Sequence, residues 1–251
     1  THEEVETSIY GLCRVAGIGT KTELLFVWRF TWCEVAKRDE SMSAIDLSPL
    51  ASCARLECLH LNDNGFVDEY LGTFPALPRL RELSISGGEM VSLDMRPIKS
   101  CCASLEWLSI DGRQLTSLDL MPLASCSRLR VIRLRNLPLT TINLTPLANC
   151  SLEDFSMSDC QFETVDLSPL AKHDRLNILA IDNTGLEELD ITPLFICENL
   201  EHLEIDDDVL VIATLHEILP SVDKQRTPDI ALLERRCPKG LEQYLSSIDW
   251  M

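Results

Sequence analysis

One pattern limits the fold of this chain more than any other feature. Leu-x-x-Leu-x-Leu, with conservative swaps, recurs seven times: Leu56-Leu59-Leu61, Leu80-Leu83-Ile85, Leu105-Leu108-Ile110, Leu129-Ile132-Leu134, Leu152-Phe155-Met157, Leu176-Leu179-Ile181 and Leu200-Leu203-Ile205. The first residues of successive copies are 24, 25, 24, 23, 24 and 24 apart. Alternate residues of an extended strand share a face, so the apolar sites of each copy point one way. No copy can bury that face alone. Stacking copies at a fixed period makes one continuous core.

The rest of each repeat is as regular. Ten residues after the first leucine stands a large apolar side chain: Phe66, Met90, Leu115, Leu139, Phe162, Leu186 or Leu210. Just before it lies a turn residue: Asp63, Gly87, Gly112, Asn136, Asp159, Asn183 or Asp207. Gly, Asn and Asp tolerate the backbone angles of tight turns. Then comes an apolar-Asp-apolar segment followed by Ser or Thr, Pro and Leu, as in Ile45-Asp46-Leu47-Ser48-Pro49-Leu50 and Val165-Asp166-Leu167-Ser168-Pro169-Leu170. The hydroxyl is expected to cap a helical turn in which Pro occupies the first position.

These residues resemble the leucine-rich repeat family, in its short-repeat form with a Pro-Leu helical turn. The resemblance covers about residues 41–210 and implies an α/β solenoid: curved, with a parallel sheet on the concave side and short helical turns on the convex side. It divides the chain into an N-terminal cap with an aromatic strand (1–40), seven repeats (41–208) and a helical C-terminal cap (209–251). The family's asparagine ladder belongs at the ninth repeat position. Here that position holds Asn64, Gly88, Arg113, Leu137, Cys160, Thr184 and Asp208, so only Asn64 fits. The Asp or Asn of the apolar-Asp-apolar segment (Asp46, Asp94, Asp119, Asn143, Asp166, Asp190) is the expected substitute, bonding the neighbouring coil. At the front, Leu25 to Trp32 alternates Phe26, Trp28, Phe30 and Trp32 on one face, which reads as a strand. Trp32 and Val35 fall where a degenerate capping repeat begins. At the back, Thr214–Leu219 and Thr227–Leu245 read as helices.

Charge and motifs narrow the function. The formal net charge of −18 argues against nucleic acid and anionic membrane surfaces, which need Lys and Arg to meet phosphates. No run approaches the roughly 20 apolar residues of a membrane span. The odd count of 11 cysteines and the absence of a Cys-x-x-Cys favour free thiols, a reducing compartment and an intracellular, cytoplasmic site. Cys53, Cys101, Cys126, Cys150 and Cys197 share one repeat position with His173. They read as small buried residues strung along the solenoid, not as metal ligands converging on a point. Gly17-Ile18-Gly19-Thr20-Lys21-Thr22 departs from a phosphate-binding loop and reads as a turn. No nucleophile, acid–base pair or metal signature is found, so no enzyme, cofactor or metal is expected.

What remains is the sheet face, where residues between the core leucines point outward. The expected partner-binding set is Trp107, Arg133, Arg135, Asp154, Asp182, His202, Glu204 and Asp206. Trp and Arg dominate interface energetics, so Trp107, Arg133 and Arg135 form the expected anchor. The two arginines either grip a partner's carboxylate or pair with Asp111 and Asp154. Between Arg175 and Lys224 there is no Lys or Arg but 12 acids, which suits a partner with a basic region. The expected function is a non-enzymatic, monomeric protein–protein interaction scaffold. Two alternatives stand beside it. One is a substrate-recognition module of a larger protein, such as a ubiquitin-ligase adaptor or receptor. The other is a structural subunit of a stable assembly, with the N-terminal aromatic face as its seam.

Overall fold

The computed structural model describes residues 12–16, 32–36, 47–62, 74–87, 89–214 and 237–251. Nine strands form one parallel sheet. They are β1 (Leu12–Ala16), β2 (Trp32–Ala36), β3 (Cys58–Asn62), β4 (Glu82–Ser86), β5 (Trp107–Asp111), β6 (Val131–Arg135), β7 (Asp154–Ser158), β8 (Ile178–Asp182) and β10 (His202–Ile205). Spatial order follows chain order, so each coil lies beside the next. The apolar positions of the repeat stay in register across the sheet: Leu83, Leu108, Ile132, Phe155 and Leu179 are successive partners. Their side chains are fully buried. This is the leucine-rich repeat solenoid fold that the resemblance implied.

On the opposite side each coil makes a five-residue 3₁₀ turn: Ser48–Ser52, Arg96–Ser100, Met121–Ser125, Thr145–Asn149, Ser168–Lys172 and Thr192–Ile196. Proline sits in the first turn of each, where a missing N–H costs nothing. The capping differs from expectation. No hydroxyl caps these turns. Instead the side chain two residues earlier accepts the backbone N–H: Asp94 from Arg96 (2.9 Å), Asp119 from Met121 (2.9 Å), Asn143 from Thr145 (3.0 Å), Asp166 from Ser168 (2.8 Å) and Asp190 from Thr192 (2.8 Å). The expected inter-coil ladder from these residues is therefore corrected. A short side chain reaches its own backbone two residues on more readily than the next coil.

One set of side-chain bonds between coils comes from the strand ends and the turns that follow them. Asn136, Asp159 and Asn183 take left-handed angles, with φ of 53°, 56° and 52°. Asn136 Nδ2 donates to the Asp111 carboxylate at 3.1 Å, Asn183 Nδ2 donates to Asp159, and Ser158 donates to Asp182 at 2.7 Å. Asp206 accepts the backbone N–H groups of Asn183 (2.7 Å) and Thr184 (3.2 Å).

The caps hold further differences. β2 pairs with β3 at Trp32↔Cys58, where a repeat before the first belongs, and β1 adds another coil's strand outside it. The strand therefore starts at Trp32; Phe26, Trp28 and Phe30 lie outside the described residues. At the other end Leu210–Ala213 is a strand, β11, joined in a second parallel sheet by β9 (Glu188–Asp190) and β12 (Asp249–Trp250). Of the helix expected over Thr227–Leu245, the described part is instead a 3₁₀ helix, Lys239–Tyr244, that starts after Pro238. Residues 215–236 lie outside the described set. Among the described residues one cysteine pair is bonded, contrary to the expectation of free thiols: Cys102 joins Cys126 of the next coil. Cys101, Cys150 and Cys197 are buried thiols, which burial raises to about 12, 11 and 11, so they stay protonated.

Candidate functional surface

The outward residues of the sheet fall into three rows because the strands are in register. Position three of the repeat aligns Cys58, Glu82, Trp107, Val131, Asp154, Ile178 and His202. Position five aligns His60, Ser84, Ser109, Arg133, Ser156, Ala180 and Glu204. Position seven aligns Ser86, Asp111, Arg135, Ser158 and Asp182. Rows three and seven are four residues apart, about 13 Å at ~3.3 Å per residue. The middle row is mostly Ser and Ala, a low floor between taller neighbours.

Arg133 rises from that floor in the middle of the face. Its guanidinium lies 5.4 Å from the centre of the Trp107 ring and donates to Asp154 at 3.2 Å. The structure thus brings Trp107, Arg133 and Asp154 together, with Asp154 the carboxylate that Arg133 holds. The Trp107 Nε1–H is buried with no acceptor among the described residues, and so is the Ser156 hydroxyl in the strand after Arg133. Arg135 stands apart, exposed and without an ion pair among the described residues. Near the other end of the face, Glu82 takes a bond from the Cys58 thiol (3.5 Å) and contacts the His60 ring at 2.8 Å. Burial and the Glu82 charge push the Cys58 thiol up to about 12, so it is no nucleophile at neutral pH.

A fourth row, missed in the sequence reading, runs along the edge of this face. The second repeat position reads Glu57, Arg81, Glu106, Arg130, Glu153, Asn177 and Glu201. Stacking brings opposite charges together, with Arg81–Glu106 at 3.0 Å and Arg130–Glu153 at 2.5 Å. The alternation of sign at a 24-residue period was the available signal.

The alternation stops at Asn177. Beyond it the face carries Ile178, Ala180, Asp182, Glu201, His202 and Glu204. Asp182 and Asp206 are engaged within the turns, whereas His202 and Glu204 are exposed. Lys239–Tyr244 walls this end. Gln243 Nε2 donates to the Leu203 carbonyl at 2.8 Å, and the Tyr244 hydroxyl accepts the Ile205 N–H at 3.1 Å. Between strands and wall lies a cleft of about 560 Å³. The expected partner-binding set therefore divides: Trp107, Arg133 and Asp154 are brought together, Asp182 and Asp206 are engaged in hydrogen bonds of the turns, and Arg135, His202 and Glu204 are exposed.

No protein-family model matches the chain, and no curated protein does. Solved structures do. A chain of the Toll–Spatzle complex of Drosophila aligns over 86% of this chain at 15% identity, with a TM-score of 0.57. A chain of the LRIM1/APL1C complex aligns over 74% at 16% identity, with a TM-score of 0.50. This chain spans 30% and 41% of those two chains. Internalin C2 of Listeria monocytogenes aligns over 66% of this chain and 77% of its own length at 24% identity, with a TM-score of 0.43. At these identities the likeness is one of fold.

Proposed function

We propose that this chain is a non-enzymatic protein-interaction scaffold that docks a protein or peptide with a basic region across the outer face of its sheet, the concave side of a leucine-rich repeat solenoid. One observation carries the reading. The same in-register face pairs Arg81, Arg130 and Arg133 with carboxylates in its middle coils, and in its last two leaves Glu201 and Glu204 without an ion pair among the described residues. Exposed charge that the fold does not use for itself is available for complementary contact. Trp107, held by Arg133, supplies a rigid aromatic surface beside that field. Other structures of this fold are complexes by name, Toll–Spatzle and LRIM1/APL1C, which agrees with a binding role without indicating a partner.

The test is affinity purification with wild type and with a Trp107→Ala/Arg133→Ala double variant, followed by cross-linking of the recovered complexes. Partners that wild type retains and the variant loses, with cross-links on the sheet face, support the proposal. Recovery of the same partners by both proteins overturns the assignment of the face.

A further inference from the structure

We infer that the cleft between β8, β10 and the C-terminal wall is a socket for one long basic side chain, arginine or lysine, projected by a partner protein or peptide. The inference rests on the reading of the sheet face as a docking surface and gives that surface its recognition chemistry.

The cleft is lined by both apolar side chains and carboxylates. Ile178, 36% exposed, and Ala180 line it together with Glu201, His202, Glu204 and Glu242. None of the three carboxylates has an ion pair among the described residues, and Lys239 is the one lysine or arginine in the lining. Long cationic side chains match this arrangement, because they lay an aliphatic stem on apolar surface and keep the charged head at a polar rim. An anion would meet three carboxylates against one ammonium. At about 560 Å³ the cleft falls within the ~300–1,000 Å³ range of small-ligand sites, with room for a side chain and its backbone.

The wall is fixed in place. The Gly240 N–H donates to the Leu200 carbonyl at 2.9 Å. A Cβ on Gly240 would sit 3.1 Å from backbone atoms of Glu201, His202 and Leu203, so a larger residue here would press the wall and the strand slightly apart. The cleft is also continuous with the outer face. Ile178 and Ala180 stand in the rows that hold Asp154 and Ser156 one strand earlier. An occupant's backbone can therefore run on toward Trp107, which favours a protein segment over a free small cation.

Random 12-residue peptides displayed on phage, selected on the whole chain, provide the probe. Synthetic copies are then measured by fluorescence anisotropy against wild type, Glu204→Gln/Glu242→Gln and Trp107→Ala. Selected peptides are expected to share an Arg or Lys beside an apolar residue. The double variant should weaken them about tenfold or more, and citrulline in place of the arginine should do the same. Failure to select peptides, peptides lacking a shared basic residue, or affinity unchanged in the double variant overturns the socket. Peptides that respond to Trp107→Ala alone overturn the socket and leave the docking face standing; peptides that respond to neither variant overturn both. Thermal melts verify folding, and Glu204→Lys serves as the charge-reversing second variant.

Discussion

Along the second position of the repeat, the middle coils carry Arg81, Glu106, Arg130 and Glu153, whereas the last two carry Asn177 and Glu201. Both regions share in-register strands of four or five residues, 3₁₀ turns and buried leucines. What changes is where charge is satisfied. In the middle, Arg81, Arg130 and Arg133 each find a carboxylate on the next coil. Between Arg175 and Lys224 there is no Lys or Arg. Repetition fixes the scaffold, and side chains at positions that repetition leaves free decide which stretch is closed on itself and which is left for a partner.

The largest expected effect separates the regions by burial. Phe155 is wholly buried in β7 with a coil on each side, while Leu203 in β10 has a coil on one side and the cap on the other. Phe155→Ala is expected to cost about 3–5 kcal/mol, and Leu203→Ala about 2–3 kcal/mol, by loss of transfer energy and cavity formation. Because coils hold each other only through neighbours, the Phe155 change should weaken both halves together. Urea denaturation measures both; a larger cost at Leu203 would mean that the middle coils are not the stronger region.

A smaller effect lies at the join of the two regions. His173 occupies the convex position held elsewhere by Cys101, Cys126, Cys150 and Cys197, and it is 3% exposed. Burial holds its pKa below the ordinary histidine value, while hydrogen bonds to the backbone of Cys150 and Leu147 and the charge of Asp174 pull it the other way. Its Nε2 is buried without a partner among the described residues. Above both pKa values His173 is neutral in either state and adds no pH dependence. As pH falls through about 6.5 the unfolded chain takes up a proton that the folded chain resists, so stability drops until the folded value is reached. His173→Cys restores the repeat's own residue and should flatten this part of the profile. Melting temperatures of both proteins between pH 7.5 and 5 decide it: parallel curves remove His173 as the cause.

How much of this was legible in the sequence follows the same division. Leu56, Leu59 and Leu61 and their copies announced strand, register and core, because one period had to satisfy all coils at once. The outward placement of Trp107, Arg133 and Glu204 followed from alternation alone. The use of Asp119 and Asp166 did not, since residue type shows that an acceptor is present but not whether it turns to its own backbone or to the next coil. Nor did the choice between a free and a paired Arg133, which depends on Asp154 lying one strand away and one row across. The wall at Lys239–Tyr244 was read as a long helix; Pro238 was the signal against it. The cleft it encloses joins residues some 60 positions apart and has no local signature.

The smallest expected effect is the most direct test of the contrast between regions. If the last coils are open because the charge ladder stops, restoring one cation should close them. Asn177→Arg places a guanidinium between Glu153 and Glu201, the next members of the row, at the cost of the Asn177 Nδ2 bond to the Asn199 carbonyl at 3.1 Å. Surface ion pairs contribute only ~0.2–1 kcal/mol, so stability should rise by a few tenths of a kcal/mol at most and fall back in high salt. Binding is the sharper readout. A cation at 177 meets one of the socket's carboxylates, Glu201, from outside, so affinity for basic peptides should fall several-fold while Phe155-dependent stability is untouched. Asn177→Gln, which keeps the polarity without the charge, should leave affinity as it was. Equal affinity in the Arg and Gln variants would show that the interrupted ladder has nothing to do with the openness of the acidic end.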